Sequence, residues 1–394
     1  MCRLLLIALL LLHAPHAAAN PLLARHLDQA LALDPAFRAL AAEREAATAR
    51  GVALRSPFAG PAAIGGALRA DTRGPREGRE ADLELAAPLW LPGQRSALAG
   101  SVAAAVGAYD RRIALRRLEV AGRLREAWWD VALAEAELRV ARDRRATAAD
   151  IARDIARRAA LGDVPGTETL LGQNEQLAAD LAVAQTETAL RDALAAYALL
   201  TGGARPAPQG EAVLAQPAGE HPAVVAARGI LAAAEARARL VAATPQDNPE
   251  GGVFARHQAG PVTEDGLSLG VRLRVPLASE GRNAPRRADA EADRRRAEAD
   301  LSATERAVGS AILRARQRLA EAEAASRLAR ERAGVAERQF ASARRALQAG
   351  EIGLFDLYRV RQLQIEAAAA QARATAEAGR ARSRLNQALG VEPR

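Results

Sequence analysis

The sequence predicts a mostly α fold with a small β part, in which long antiparallel coiled-coil hairpins occur twice. Three observations predict this class. Apolar residues between 102 and 141 recur at alternating steps of four and three, the heptad pattern of a coiled coil. A later stretch of alternating apolar and polar residues indicates a strand. Finally, Pro88, Gly93, Gly162 and Gly202 each recur 188 residues later without a gap, which indicates an internal duplication.

The first 19 residues predict a secretory signal peptide, because a short apolar run is followed by small residues at 17–19. The only cysteine, Cys2, lies in this segment, so we expect no disulfide or thiol chemistry in the mature chain. No later stretch approaches the roughly 20 apolar residues that a transmembrane helix requires. We therefore expect an exported protein without a membrane-spanning helix.

The composition favours helices with solvated charged faces. Hydrophobic residues make up 49% of the 394 residues but aromatic ones only 3%, and alanine, the best helix former, is prominent among them. The net charge of +8 comes from arginines that are interleaved with acidic residues along the predicted helices. This interleaving favours exposed helix faces over a basic surface for nucleic acid.

The elements follow the same order in both halves of the chain. We expect a first repeat at 20–204, with a helix opening at Asp34, a strand pair at about 62–89, a long helix at 97–161 and a return helix at 167–200. A proline-rich linker at 205–219 joins it to the second repeat at 220–394, with a helix opening at His221, a strand pair at about 252–276, a long helix at 285–349 and a return helix at 354–389.

The clearest strand pattern lies at 267–275, where every odd position is aliphatic and every even position is small or charged. This alternation is typical of a strand with one apolar and one polar face. A transmembrane β-barrel strand has this pattern over nine to eleven residues, and so does a soluble sheet with one buried face. The pattern alone leaves both interpretations open.

Each long helix ends in a turn of the form glycine, acid, aliphatic: Gly162, Asp163 and Val164 in the first repeat, and Gly350, Glu351 and Ile352 in the second. Six residues after each glycine comes another acid, Glu168 or Asp356. Acids in the first turn of a return helix are favoured by the helix dipole alone. Arg359 lies three residues after Asp356, where it could form an ion pair with it or remain an ordinary surface charge.

The duplicated order of strand pair, proline, long helix, tip turn and return helix ending in Leu-x-Gly resembles the TolC-like outer membrane efflux protein family. The compact length is similar to the CzcC-like cation and heavy-metal efflux branch. The resemblance implies that three chains each give four strands to one 12-stranded transmembrane β-barrel, and that their helices form an α-barrel across the periplasm. The chain would then be the passive exit duct of a tripartite system in the outer membrane of a Gram-negative bacterium. Its partners would be an inner-membrane pump and a periplasmic adaptor. Metal cations are among its candidate substrates.

The resemblance also assigns roles to the tip residues. Acids at the matching place in the second repeat narrow the periplasmic entrance of such channels, which implies an entrance site of Asp356, with Glu168 and Arg359 beside it. Carboxylates brought together around a three-fold axis would favour cations. The turn residues Gly162, Asp163, Val164, Gly350, Glu351 and Ile352 would contact the adaptor; for the aliphatic members, packing within the hairpin is the alternative.

No motif in the sequence indicates an enzyme, a cofactor site or a metal site. The histidines are isolated, and no phosphate-binding glycine loop or Ser/His/Asp spacing is present. The competing interpretation is a soluble periplasmic coiled-coil adaptor or scaffold, which shares the signal and the helices but leaves the strand pairs and the duplication unexplained. The sequence does not identify the substrate.

Overall fold

The computed structural model describes residues 20–71, 78–162, 165–207, 210–213, 219–260 and 263–394. In chain order their elements are α1 (Pro21–Leu33), α2 (Pro35–Ala49), a 3-10 turn (Arg50–Arg55), β1 (Ala63–Ala70), β2 (Arg79–Pro88), α3 (Gln94–Ala160), α4 (Gly166–Thr201), α5 (Pro222–Ala242), β3 (Glu250–Gly260), β4 (Thr263–Arg274), α6 (Glu280–Gln348) and α7 (Leu354–Ala388). The predicted signal peptide lies outside the described residues, as does part of the predicted linker. Among the described helices, none combines the length and apolar character needed to cross a bilayer.

The backbone repeats at the same interval as the sequence. Helices α3 and α6, of 67 and 69 residues, end 188 residues apart, and α4 and α7 begin 188 residues apart. Gly162 and Gly350 have φ of 80° and 75°, and Gly202 and Gly390 have φ of 75° and 78°. Glycine adopts this left-handed conformation without steric cost, so equivalent helices in the two halves stop in the same way. The predicted fold class, long helices with a small β part, is confirmed.

The described chain packs as two compact units. Of the described residues, the first unit takes those within 20–35, 116–221 and 308–394, and the second takes those within 36–115 and 222–307. Each unit takes segments from both halves of the sequence. The two sequence repeats therefore do not coincide with the two packing units.

The second unit contains a single antiparallel sheet in the order β1-β2-β3-β4. The hairpins of the two repeats join through β2 and β3, with Leu85 opposite Val253. Because the order is open, β1 and β4 each present one edge that has no partner strand among the described residues. The backbone N–H and C=O groups along these edges must be satisfied by solvent or by another chain.

The two faces of the sheet differ in polarity as the alternating pattern predicts. The register of the strand pairs places aliphatic side chains together on one face: Ile64, Leu68, Leu83, Leu85, Val253, Leu267, Leu269, Val271 and Leu273. These side chains are exposed, Leu68 by 88% and Val271 by 84%. A soluble sheet would bury this face, so the single chain does not provide the cover that the soluble interpretation requires.

An apolar cluster and a buried ion pair contribute to the packing of the first unit. Leu138, Ala141 and Val183 form a compact apolar cluster between α3 and α4. The side chain of Arg125 on α3 is only 2% exposed, and two of its nitrogens donate to the carboxylate oxygens of Glu211, each at 2.8 Å. This bidentate pairing fixes the described part of the linker against α3.

Three rings from α1, α3 and α4 form a second buried cluster in this unit. His26 Nδ1 lies 2.7 Å from the hydroxyl oxygen of Tyr197. The Trp128 and Tyr197 rings meet edge to face, with centroids 6.1 Å apart, and the His26 ring lies 6.3 Å from that of Trp128. Burial, and to a smaller extent the nearby Arg25 cation, lowers the pKa of His26 below its ordinary value, so the folded protein favours a neutral ring.

We expect the protein to lose stability as the pH falls below about 6.5, the ordinary pKa of histidine. In that range the unfolded chain binds a proton that folded His26 resists, so stability rises with pH and is fully present above 6.5. His221, whose pKa burial also lowers, adds to the effect. Thermal midpoints at pH 7.5 and 5.0 should differ less in His26→Gln than in the wild type. An unchanged difference in His26→Gln would contradict the assignment.

Candidate functional site

The two tip turns of the first unit share a glycine-based helix ending. At the second turn, the backbone N–H of Gly350 donates to the carbonyl of Leu347 at 3.1 Å and that of Glu351 to the carbonyl of Ala346 at 2.9 Å. This pair of bonds is the Schellman arrangement, which needs the left-handed conformation of Gly350. At the first turn the N–H of Gly162 donates to the carbonyl of Ala159 at 3.0 Å. The predicted tip residues Asp163 and Val164 lie outside the described residues.

The predicted acids lie where the return helices begin. Glu168 is in the first turn of α4 and Asp356 in the first turn of α7. The residues that precede these helices, Pro165 and Gly353, provide no side-chain cap. Carboxylates in the first turn therefore stabilise the free N–H groups through the helix dipole. Asp356 is exposed and Glu168 half-buried, so both structural and functional roles are compatible with their positions.

Arg359 does not pair with Asp356 in this conformation. Within the described chain, no ion pair of 4.0 Å or less joins the two side chains, and both are exposed. Arg359 instead lines a shallow cleft of about 260 Å³ between α4 and α7, together with Leu171, Asn174, Glu175, Phe355, Tyr358, Arg361, Gln362 and Ile365. The structure therefore does not show the ion pair between Asp356 and Arg359 that would hold the entrance shut.

An apolar cluster lies behind the turns and joins three helices. Ile155 of α3, Phe340 of α6 and Leu357 of α7 are buried against one another. Ile352 is half-buried, which allows both packing against its own hairpin and contact with a partner. The cluster fixes the ends of the hairpins relative to each other and leaves the turn residues Gly162, Gly350 and Glu351 exposed.

A polar network behind the second turn was not predicted from the sequence. Arg361 is 8% exposed, and its guanidinium carbon lies 4.9 Å from the centroid of the Phe340 ring. One of its nitrogens donates to Gln364 Oε1 at 2.6 Å, and Gln364 in turn donates to Glu337 Oε2 at 2.7 Å. Burial lowers the pKa of Arg361 from its usual value, against the opposing influence of Glu337 and other nearby acids. An arginine one helical turn after the buried Leu357 is the sequence signal that could have indicated this network.

Tyr358 is the least satisfied polar group near the turns. Its hydroxyl oxygen is buried and has no hydrogen-bond partner among the described residues. Burial, with a smaller influence from Glu175, raises the pKa of this hydroxyl to about 12. A buried hydroxyl without a partner costs free energy, so Tyr358 is retained at a price in stability.

The geometry of this site is suited to contact and to electrostatic selection. The described residues contain no cluster of three or more His, Cys, Asp or Glu side chains that could hold a metal ion. The charged groups at the turns include the exposed carboxylates of Glu351 and Asp356 and the exposed guanidinium of Arg359. Such groups can attract or repel ions in a passage, and the exposed backbone of the turns can contact a partner.

Comparison with known proteins gives matches in structure. No protein-family model matches the sequence, and no curated protein matches it significantly. The outer membrane protein VceC from Vibrio cholerae is similar with a TM-score of 0.75 and 16% identity, over 96% of this chain and 100% of that one. The Campylobacter jejuni CmeC outer membrane channel is similar with a TM-score of 0.74 and 15% identity, over 94% and 86% of the two chains.

A membrane protein from Pseudomonas aeruginosa has a TM-score of 0.78 and 17% identity, over 95% of this chain and 92% of that one. These neighbours match over nearly the whole described chain, including both the helices and the sheet. At such low identity the matches show the fold. The fold expected from the TolC-like resemblance is thereby confirmed.

Loss of the buried hydroxyl should have different effects in Tyr358 and Tyr197. Tyr358→Phe removes a hydroxyl that lacks a partner, so the thermal midpoint should stay constant or rise. Tyr197→Phe removes the partner of His26 Nδ1 and should cost about 1–2 kcal/mol. Thermal unfolding followed by circular dichroism at pH 7.5 measures both. A clear destabilisation by Tyr358→Phe would show that its hydroxyl is bonded in solution.

Proposed function

We propose that the chain is one subunit of a trimeric outer-membrane exit duct, a passive conduit for solutes that an inner-membrane pump delivers. The observation that carries this proposal is the four-stranded sheet, whose aliphatic face is exposed and whose two edges lack partners in the described chain. The shared fold with outer membrane channels supports it. Metal cations are among the candidate substrates.

The open edges of the sheet favour a trimer. In lipid there is no water to satisfy the backbone groups of an open edge, so a sheet that spans a membrane must close. Four strands are too few to close around a passage, whereas three copies provide twelve. In such a barrel the aliphatic face contacts lipid and the polar face lines the passage.

The competing proposal is a soluble periplasmic coiled-coil adaptor or scaffold. It accounts for the long helices and for the charged helix faces. It gives no reason for an exposed face that carries Ile64, Leu68, Leu269 and Val271 on one sheet. A contiguous apolar surface of this kind on a soluble monomer would promote aggregation, which favours the membrane interpretation.

We assign the tip turns to the periplasmic end of the duct. Asp356 would face the entrance, with Glu168 and Arg359 beside it, and the turn residues would contact a periplasmic adaptor. On this chain, the surface that contacts the adaptor would comprise Gly162, Asp163, Val164, Gly350, Glu351 and Ile352. The exposed position of Asp356 and the absence of a salt bridge to Arg359 in the described chain support a carboxylate that is free to act on passing ions.

The assembly is tested by extracting the protein from purified outer membranes in detergent and measuring its mass by light scattering with correction for bound detergent. We expect a mass of three chains. A monomer or dimer recovered from the soluble periplasm would remove the duct and favour the adaptor or scaffold.

Neutralising the entrance acid should weaken cation selectivity. Asp356→Asn removes one negative charge per chain, or three around the axis, and the K⁺/Cl⁻ permeability ratio should fall by about twofold to fivefold. Reversal potentials across planar bilayers in a KCl gradient measure this ratio. The control is Glu331→Gln, which removes an equal charge from an exposed position within α6. If the two variants give equal ratios, Asp356 does not act at the entrance.

A further inference from the structure

The polar face of the sheet carries an aromatic ring between two guanidinium groups. Phe254 of β3 lies directly opposite Gly270 of β4. The guanidinium carbons of Arg272 and Arg256 lie 5.3 and 5.9 Å from the centroid of the Phe254 ring, close enough for cation–π attraction. We call Phe254, Arg256 and Arg272 the arginine stack.

Gly270 makes this arrangement possible. A Cβ atom at Gly270 would lie 2.5 Å from Cζ of the Phe254 ring, a distance that side chains do not tolerate. The ring therefore lies across the glycine, along the surface of the sheet. Covering a strand glycine with an aromatic ring from the neighbouring strand is a known stabilising device in sheets. Here it also keeps the ring from projecting away from the polar face.

The stack holds its two arginines against the acids of β2. The Arg256 side chain forms a fork with Asp82, at 2.8 and 2.9 Å, and its Nε lies 2.6 Å from Glu80 Oε1. The Arg272 guanidinium contacts the carboxylate of Glu84. Three carboxylates from β2 are thus paired with two guanidiniums from β3 and β4, which leaves one net negative charge in the group.

We propose that the arginine stack determines the charge selectivity of the passage along the sheet's polar face. This inference rests on the proposed function, in which that face lines a barrel. A solute that passes the group meets carboxylates whose field is largely cancelled by the adjacent guanidiniums, so this section of the passage discriminates weakly between cations and anions. Loss of either guanidinium leaves unpaired carboxylates in a confined space and makes the section cation-selective.

Phe254 affects the width of the passage in this scheme. Its ring lies over Gly270 and so leaves the passage open, while the two guanidiniums are held by their own bonds to the β2 carboxylates. A side chain at position 270 should therefore lift the ring and narrow the passage without changing its charge. Charge and width can thus be altered separately by changes at neighbouring positions.

The charge is tested with Arg272→Gln in planar bilayers under a KCl gradient. We expect the K⁺/Cl⁻ permeability ratio to rise about threefold or more, because three Glu84 carboxylates lose their partners. The matched control is Arg274→Gln, which removes an equal charge from the same face of β4, at an exposed arginine that pairs with Glu250 outside the stack. An equal rise in both variants would assign selectivity to the total charge of the face and overturn the role of the stack.

The width is tested with Gly270→Ala, which should lower the single-channel conductance and leave the permeability ratio near that of the wild type. Gly65→Ala on the same face is its control, since the added Cβ would meet its nearest atom at an ordinary 3.9 Å. If the wild-type protein forms no conducting trimer, the proposed function itself falls. If the wild type conducts and both Arg272→Gln and Gly270→Ala behave like their controls, only the arginine stack proposal falls.

Discussion

The sheet is the main physical constraint on this structure, because one chain cannot pair its edges or cover its aliphatic face. Four antiparallel strands give two free edges, and the aliphatic face has no cover within the described chain. Both deficits have the same remedy, since neighbouring copies would close the edges while lipid would cover the face. Neither remedy is available to a soluble monomer. In the proposed duct, the number of chains and the lipid environment therefore both follow from the sheet.

The first unit is under a different constraint, because its helices are rich in alanine, whose small side chain buries little surface. Specific polar contacts compensate in part. The Arg125–Glu211 pair is almost fully buried and hydrogen-bonded on both sides, so removal of one partner would leave an uncompensated charge in the interior. Most other ion pairs of the long helices are exposed, and pairs of that kind contribute about 0–1 kcal/mol each. The burial of an ion pair, and not the number of ion pairs, therefore decides which charges affect stability.

Much of the fold could be predicted because its signals are local. Heptads, alternation and the recurrent glycines each reflect the backbone geometry of a few neighbouring residues, and the equivalent φ angles of Gly162 and Gly350 follow from them. The candidate site was only partly accessible in the same way. Arg256 and Asp82 are 174 residues apart, and Arg361 meets Phe340 from another helix, so their contacts depend on packing that no local pattern encodes.

Arginine has the same role in both units, which bears on how a channel of this composition would handle ions. In the sheet one guanidinium joins two carboxylates while approaching Phe254, and near the tip turns Arg361 lies over Phe340. The planar fork and the weak hydration of the guanidinium allow such pairing and stacking, which a lysine ammonium does not reproduce. The net charge of +8 is therefore a poor guide to selectivity. In the proposed duct, the field is set by the charges left unpaired along the passage, at Asp356 in one unit and at Glu80 and Asp82, which share Arg256, in the other.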